Sequence, residues 1–114
     1  GLGDVYKRQV FKVTMNESLA VALLTNLLKN AFVHNIDGGH IRITVTKNGI
    51  TFRNSGVEHP LNKEHIFERF YQGSKKEGST GLGLAIADSI CRLQHLNIKY
   101  YFEQNEHCFE ISQS

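Results

Sequence analysis

Apolar residues fall at helical spacing between Leu19 and Ala31. Leu19, Leu23 and Leu27, joined by Leu24, Leu28 and Ala31, make a wide stripe on one helix face. Thr14 with Glu17 three residues on has the form of a capping box and predicts the helix start there. Asp37-Gly38-Gly39 breaks the pattern, so the helix is expected to end near His34–Asn35. Before it, Val10–Val13 reads as a short strand. After it, Ile41, Ile43 and Val45 alternate with polar residues, as do Ile50 and Phe52. Lys47-Asn48-Gly49 stands between these runs, and Asn-Gly is a strong hairpin signal. A short amphipathic piece spans His65–Tyr71, and Gly73–Thr80 is small, polar and basic, a predicted loop. A second helix follows with Ile86, Ile90 and Leu93 on one face. Ile98, Tyr100 and Phe102, then Phe109 and Ile111, predict a final hairpin.

Strands interleaved with two long helices predict an α+β fold: a two-layer sandwich with a mixed, mostly antiparallel sheet packed against helices. Residues 1–9 show no usable periodicity and read as a tail or non-native leader, leaving one domain over 10–114. The chain of 114 residues suffices for one real core. A formal charge of +2, from scattered basic residues, makes no case for nucleic acid. No apolar run approaches the roughly 18 residues of a membrane span, so no membrane contact is expected of this segment. Cys91 and Cys108 sit among apolar neighbours and read as buried free thiols. The six histidines are scattered, which gives zinc little support.

Chemistry concentrates in three places. Asn26 and Asn30 lie one turn apart on the first helix, with His34 continuing the line. Asparagine is a poor helix former, so two on one face ask for a reason beyond solvation. A neutral amide oxygen suits Mg²⁺ that phosphate oxygens already hold. Second, Gly81 and Gly83 stand where the second helix opens, so backbone N–H groups and the positive end of the helix dipole would face an anion. Third, Asn54-Ser55-Gly56 ends a strand, where a polar side chain can meet a planar base and a glycine makes room. Two other phosphate motifs fail. From Gly73 to Thr80 the spacing is that of a P-loop, but Ser79 occupies the lysine position. Gly81-Leu82-Gly83 lacks the third glycine and the leading strand of a dinucleotide fold.

Taken in order, these features resemble the catalytic, ATP-binding domain of sensor histidine kinases. Asn26-Leu27-Leu28-Lys29-Asn30-Ala31 resembles the N box and Asn54-Ser55-Gly56 the G1 box. Phe67-Glu68-Arg69-Phe70-Tyr71 resembles the F box, and Thr80-Gly81-Leu82-Gly83-Leu84-Ala85-Ile86 the G2 box. The resemblance runs from Val10 to Ile111. It implies the Bergerat ATP-binding fold shared with gyrase and MutL ATPases, with ATP and Mg²⁺ as cofactors. By resemblance Asn30 ligates Mg²⁺, Asn26 lies by the phosphates, Asn54 faces the adenine amine and Gly56 gives the base room. Residues 72–80 become the ATP lid, with Lys75, Lys76 and Thr80 as phosphate contacts and the backbone of Gly81, Leu82, Gly83 and Leu84 beside them. His34 is carried as a further nucleotide contact.

The chain departs from the family pattern in places. Asn54 replaces the usual aspartate, Glu58 a second glycine, Val33 a basic residue and Ser79 the first G2 glycine. An amide offers both an acceptor and a donor, so Asn54 is expected to blur the choice between adenine and guanine unless neighbours lock it. Relatives that hydrolyse ATP carry a glutamate where this chain has Asn26, so a water-activating base is missing and transfer to a protein fits better. No H box precedes the N box. The implied partners are therefore a histidine-bearing dimerisation domain and, through it, a response regulator, in the cytoplasm. Two alternatives stay open: a degenerate nucleotide-binding or interaction module, and an anti-sigma-type serine kinase of the same fold.

Overall fold

The structure, a computed structural model, describes residues 9–56, 61–69 and 81–113. Its elements are α1 (Glu17–Val33), β1 (Ile41–Thr46), β2 (Gly49–Ser55), α2 (Gly83–Leu93), β3 (Leu96–Glu103) and β4 (Glu106–Gln113). The four strands lie in the order β1-β2-β4-β3, and all three pairings are antiparallel. Both helices cover one face of this sheet, α1 over β2 and α2 over β3, and pack on each other. The result is the expected two-layer α+β sandwich.

Register explains where the core sits. Because side chains alternate across a strand, paired residues share a face. Ile43, Phe52, Phe109 and Tyr100 form one row, and Val45, Ile50, Ile111 and Ile98 the next. Leu23 and Leu27 of α1 and Ala87, Ile90 and Cys91 of α2 close over these rows. Ile43 and Val45 stay partly open, because β1 is an edge strand that neither helix covers. The third row, Ile41, Asn54, His107 and Phe102, continues the same face, but its centre is polar.

Several local expectations are corrected. The helix cap is Asn16, not Thr14: its Oδ1 accepts from the Leu19 N–H at 3.2 Å, and asparagine is the better cap. Val10–Val13 joins no ladder. Instead Val10, Phe11 and Val13 line an apolar groove with Leu24, Val45 and Ile111. On α2, Ile90 is buried as expected, but Ile86 and Leu93 are exposed and the small Ala87 and Cys91 face inward. Small side chains at that spacing let α1 and α2 approach closely, which a search for large apolar residues misses.

Both predicted hairpins form, but the left-handed turn is in the second and not at Asn48-Gly49. Thr46 pairs with Gly49, so Lys47-Asn48 is the loop, and neither Asn48 nor Gly49 has positive φ. Gly49 is required for another reason, since a Cβ there would collide with the Ile111 carbonyl of β4. The left-handed turn belongs to the second hairpin, at Gln104 (φ 53°) and Asn105 (φ 61°), closed by Glu103 and Glu106. Ile66 is fully buried and Phe67 meets Phe109 edge-on at 6.3 Å, so the described part of the segment after β2 is anchored in the core. Both cysteines are buried and free. Burial raises both thiols, Cys91 to about 11, so neither is a reactive nucleophile at neutral pH.

Candidate functional site

The polar row at the end of the sheet holds Asn54, with 2% of its surface exposed. Its Nδ2 donates to the Ser55 carbonyl at 2.8 Å. A carbonyl only accepts, so the amide orientation is decided: nitrogen toward Ser55, Oδ1 left as the acceptor. Asn54 is therefore locked, which removes the freedom to present either edge. Opposite it on β4 stands His107, which the sequence reading did not single out. Its ring stacks on Tyr100 at 5.9 Å, and its Nδ1 lies 2.7 Å from the Tyr100 hydroxyl, which also accepts from the Leu61 N–H at 2.9 Å. A Cβ on Gly56 would stand 2.5 Å from His107 Cδ2 and 2.8 Å from Nε2. Gly56 thus has a packing reason of its own: the imidazole fills the space beside it. The only sequence signal for His107 was a polar residue in phase with Phe109 and Ile111.

The second cluster joins the two helices. Asn26 donates Nδ2 to the Ala22 carbonyl at 2.8 Å, one turn back, which turns Oδ1 outward. That oxygen lies 3.2 Å from where a Cβ on Gly83 would be. The N box and the start of α2 are therefore in van der Waals contact through a glycine. Gly81 takes the left-handed conformation (φ 73°), which turns the chain into α2. The first turn of α2 carries no acidic residue, and Leu82 at the cap supplies no side-chain hydrogen bond to it. The helix's own carbonyls cannot pair the N–H groups of this first turn. The Leu84 side chain packs into the core, leaving only its backbone for a ligand.

Asn30 lies one turn beyond Asn26 and is half-buried. Among the described residues its side-chain amide makes no hydrogen bond, so its oxygen is available as a hard donor. No group of three His, Cys, Asp or Glu able to hold a metal gathers among the described residues. His34 caps the C-terminus of α1, and its carbonyl lies 3.6 Å from the Gly56 Cβ position. The structure thus joins Asn26 to Gly83, His34 to Gly56 and Asn54 to His107. Lys75, Lys76, Thr80, Glu58 and Ser79, with the rest of the predicted lid and Phe70 and Tyr71, lie outside the described residues.

A family model described as histidine kinase-, DNA gyrase B- and HSP90-like ATPase matches residues 15–112. The chain belongs to this ATPase family. Within it, relatives are sensor kinases. The chain is 44% identical over 84 residues to the sensor histidine kinase RppB of Synechocystis sp., covering 66% of this chain and 18% of that protein. It is 40% identical over 90 residues to the heme sensor protein HssS of Staphylococcus aureus, covering 75% of this chain and 20% of that protein. The chain therefore spans about a fifth of the length of these relatives. A nucleotide-free catalytic domain of the histidine kinase ThkA superposes with a TM-score of 0.72 at 27% identity, over 87% of this chain and 68% of that one. The mycobacterial sensor histidine kinase MprB shares the fold, with a TM-score of 0.69 at 23% identity over 90% and 76% of the two chains. The two-layer sandwich described above is thus the fold of this ATPase family. No helix among the described residues is long and apolar enough to cross a membrane.

Proposed function

We propose that this domain binds Mg²⁺–ATP and donates the γ-phosphoryl group to a histidine on a separate dimerisation domain, as part of two-component signalling. The observation that supports it most is the meeting of Asn26 with Gly83, which puts the polar line of α1 beside the N-terminus of α2. Phosphates would sit at that N-terminus, against the backbone N–H groups of Gly81, Leu82, Gly83 and Leu84. Lys75, Lys76 and Thr80 precede it in the chain and would add phosphate contacts, with His34 near the far end of α1. Asn30 would hold Mg²⁺ through its amide oxygen, and the ion would neutralise phosphate charge. Asn54 Oδ1 would accept from the adenine amine.

The identity of residue 26 argues for transfer to a protein over hydrolysis. An amide that already donates to the Ala22 carbonyl cannot take a proton from water at neutral pH. The phosphoryl acceptor would be a histidine of the parent kinase, and a response regulator would receive the group next, in the cytoplasm. Calorimetric titration tests the reading: Asn30→Ala is expected to weaken ATP binding in Mg²⁺ while leaving the affinity in EDTA within about two-fold. Equal losses under both conditions would remove Asn30 from the metal. Phosphotransfer is tested by supplying a histidine-bearing helical hairpin, with acid-labile, base-stable phosphate expected on the hairpin and none on this domain.

A further inference from the structure

Ser55 follows Asn54 directly, and its hydroxyl ties β2 to the segment that leaves α1. Ser55 is 7% exposed. Its backbone carbonyl receives the Asn54 amide at 2.8 Å. Its hydroxyl reaches the other way, to the segment that leaves α1: Oγ accepts from the His40 N–H at 2.8 Å and donates to Asn35 Oδ1 at 2.7 Å. The Ser55 N–H donates to the His40 carbonyl at 3.2 Å, continuing the ladder by one pair. Asn35 Oδ1 also accepts from the Ile36 N–H at 3.0 Å, which closes the turn after the helix. The fit leaves no slack, since a Cβ on Gly39 would collide with Ser55 Oγ and Asn35 Oδ1 together.

From this geometry we infer that the Ser55 hydroxyl is a positioning group, setting the spacing between Asn30 on α1 and Asn54 on β2. Asn35 follows the last turn of α1, in which Asn30 lies, and Asn54 precedes Ser55 directly. A ligand that engages both asparagines gains from their fixed separation, because the ordering cost is met in the folded protein before binding. A ligand that engages one gains nothing from it. The inference rests on the nucleotide reading above and predicts a behaviour that simple damage to either half would not produce.

The test uses three probes on the wild-type domain, Ser55→Ala, Asn35→Ala and the double variant, with circular dichroism confirming the fold. Mg²⁺–ATP spans the site, adenosine occupies only the base half and Mg²⁺–tripolyphosphate only the phosphate half. Each single variant is expected to weaken ATP about ten-fold while both partial ligands stay within about two-fold of wild type. The double variant should lose less than the product of the two single losses, because both remove the Ser55–Asn35 bond while each also removes one of its own. Unchanged ATP affinity, equal losses of ATP and adenosine, or multiplying losses in the double variant would each overturn the inference. A wild-type domain that binds none of the three probes would overturn the nucleotide reading itself. Should Ser55→Ala fail to fold, Asn35→Ala alone carries the comparison of ATP with the partial ligands.

Discussion

If Asn54 faces the base as proposed, base selectivity is the sharpest consequence of its locked amide. With Nδ2 held on the Ser55 carbonyl at 2.8 Å, only Oδ1 is presented, an acceptor that suits the adenine amine. Guanine would place a carbonyl oxygen at the same point. Two acceptors would then face each other, or the amide would turn over and set its oxygen against the Ser55 carbonyl. Either route leaves a buried polar group without its hydrogen bond, at about 1–3 kcal/mol. At 1.4 kcal/mol per factor of ten, that is roughly a 5- to 150-fold preference for ATP over GTP. Competition titration of the wild-type domain measures it directly. Asn54→Ala should bring the two nucleotides within about two-fold of each other. Asn54→Asp should destabilise the fold by about 1–3 kcal/mol, since a carboxylate cannot donate to Ser55. If GTP competes within two-fold of ATP on the wild-type protein, the locked acceptor is not the base reader.

Other perturbations have equally defined outcomes. Gly81→Ala forces a Cβ into the left-handed region at φ 73° and should cost about 1–2 kcal/mol, read as a lowered melting temperature. Gly83→Val should weaken ATP more than it lowers stability, because its Cβ presses on Asn26 Oδ1 from 3.2 Å; unchanged binding would make Gly83 a packing glycine alone. Leu27→Ala removes a fully buried side chain and should cost about 2–5 kcal/mol by denaturant titration. Glu106 provides the pH test. The hydrogen bond from Arg42 holds its carboxyl below the usual value, against burial and with help from His40. A depressed carboxyl contributes stability that is fully present above the unfolded pKa and lost as pH falls through the folded one. Glu106→Gln should therefore be less stable at neutral pH and show a flatter loss of stability in acid; a parallel acid profile would remove Glu106 as the source.

The division between chain and fold follows from how far each interaction reaches. Period and local chemistry were enough for α1 and the Leu23, Leu27 and Ala31 line of its stripe, though Leu24 is exposed. They were enough too for the alternation of β1 and β2, and for the order of four motifs that marks the ATPase family. These are short-range patterns, and nothing distant alters them. Where two elements meet, the one-dimensional pattern carried less. Ile86 and Leu93 had the right spacing for a buried face, yet α2 turns Ala87 and Cys91 inward because the approach of α1 rewards small side chains. Gly49 looked like a turn residue, but its lack of a side chain serves the strand beside it. Asn54 looked free to present either edge, and only the Ser55 carbonyl decides which one. His107 carried no motif at all; the register of β4 against β2 sets it beside Asn54 and Gly56. Residue type states what a side chain can donate or accept, while the neighbours that use up one of those capacities come from strands and helices far away in the chain.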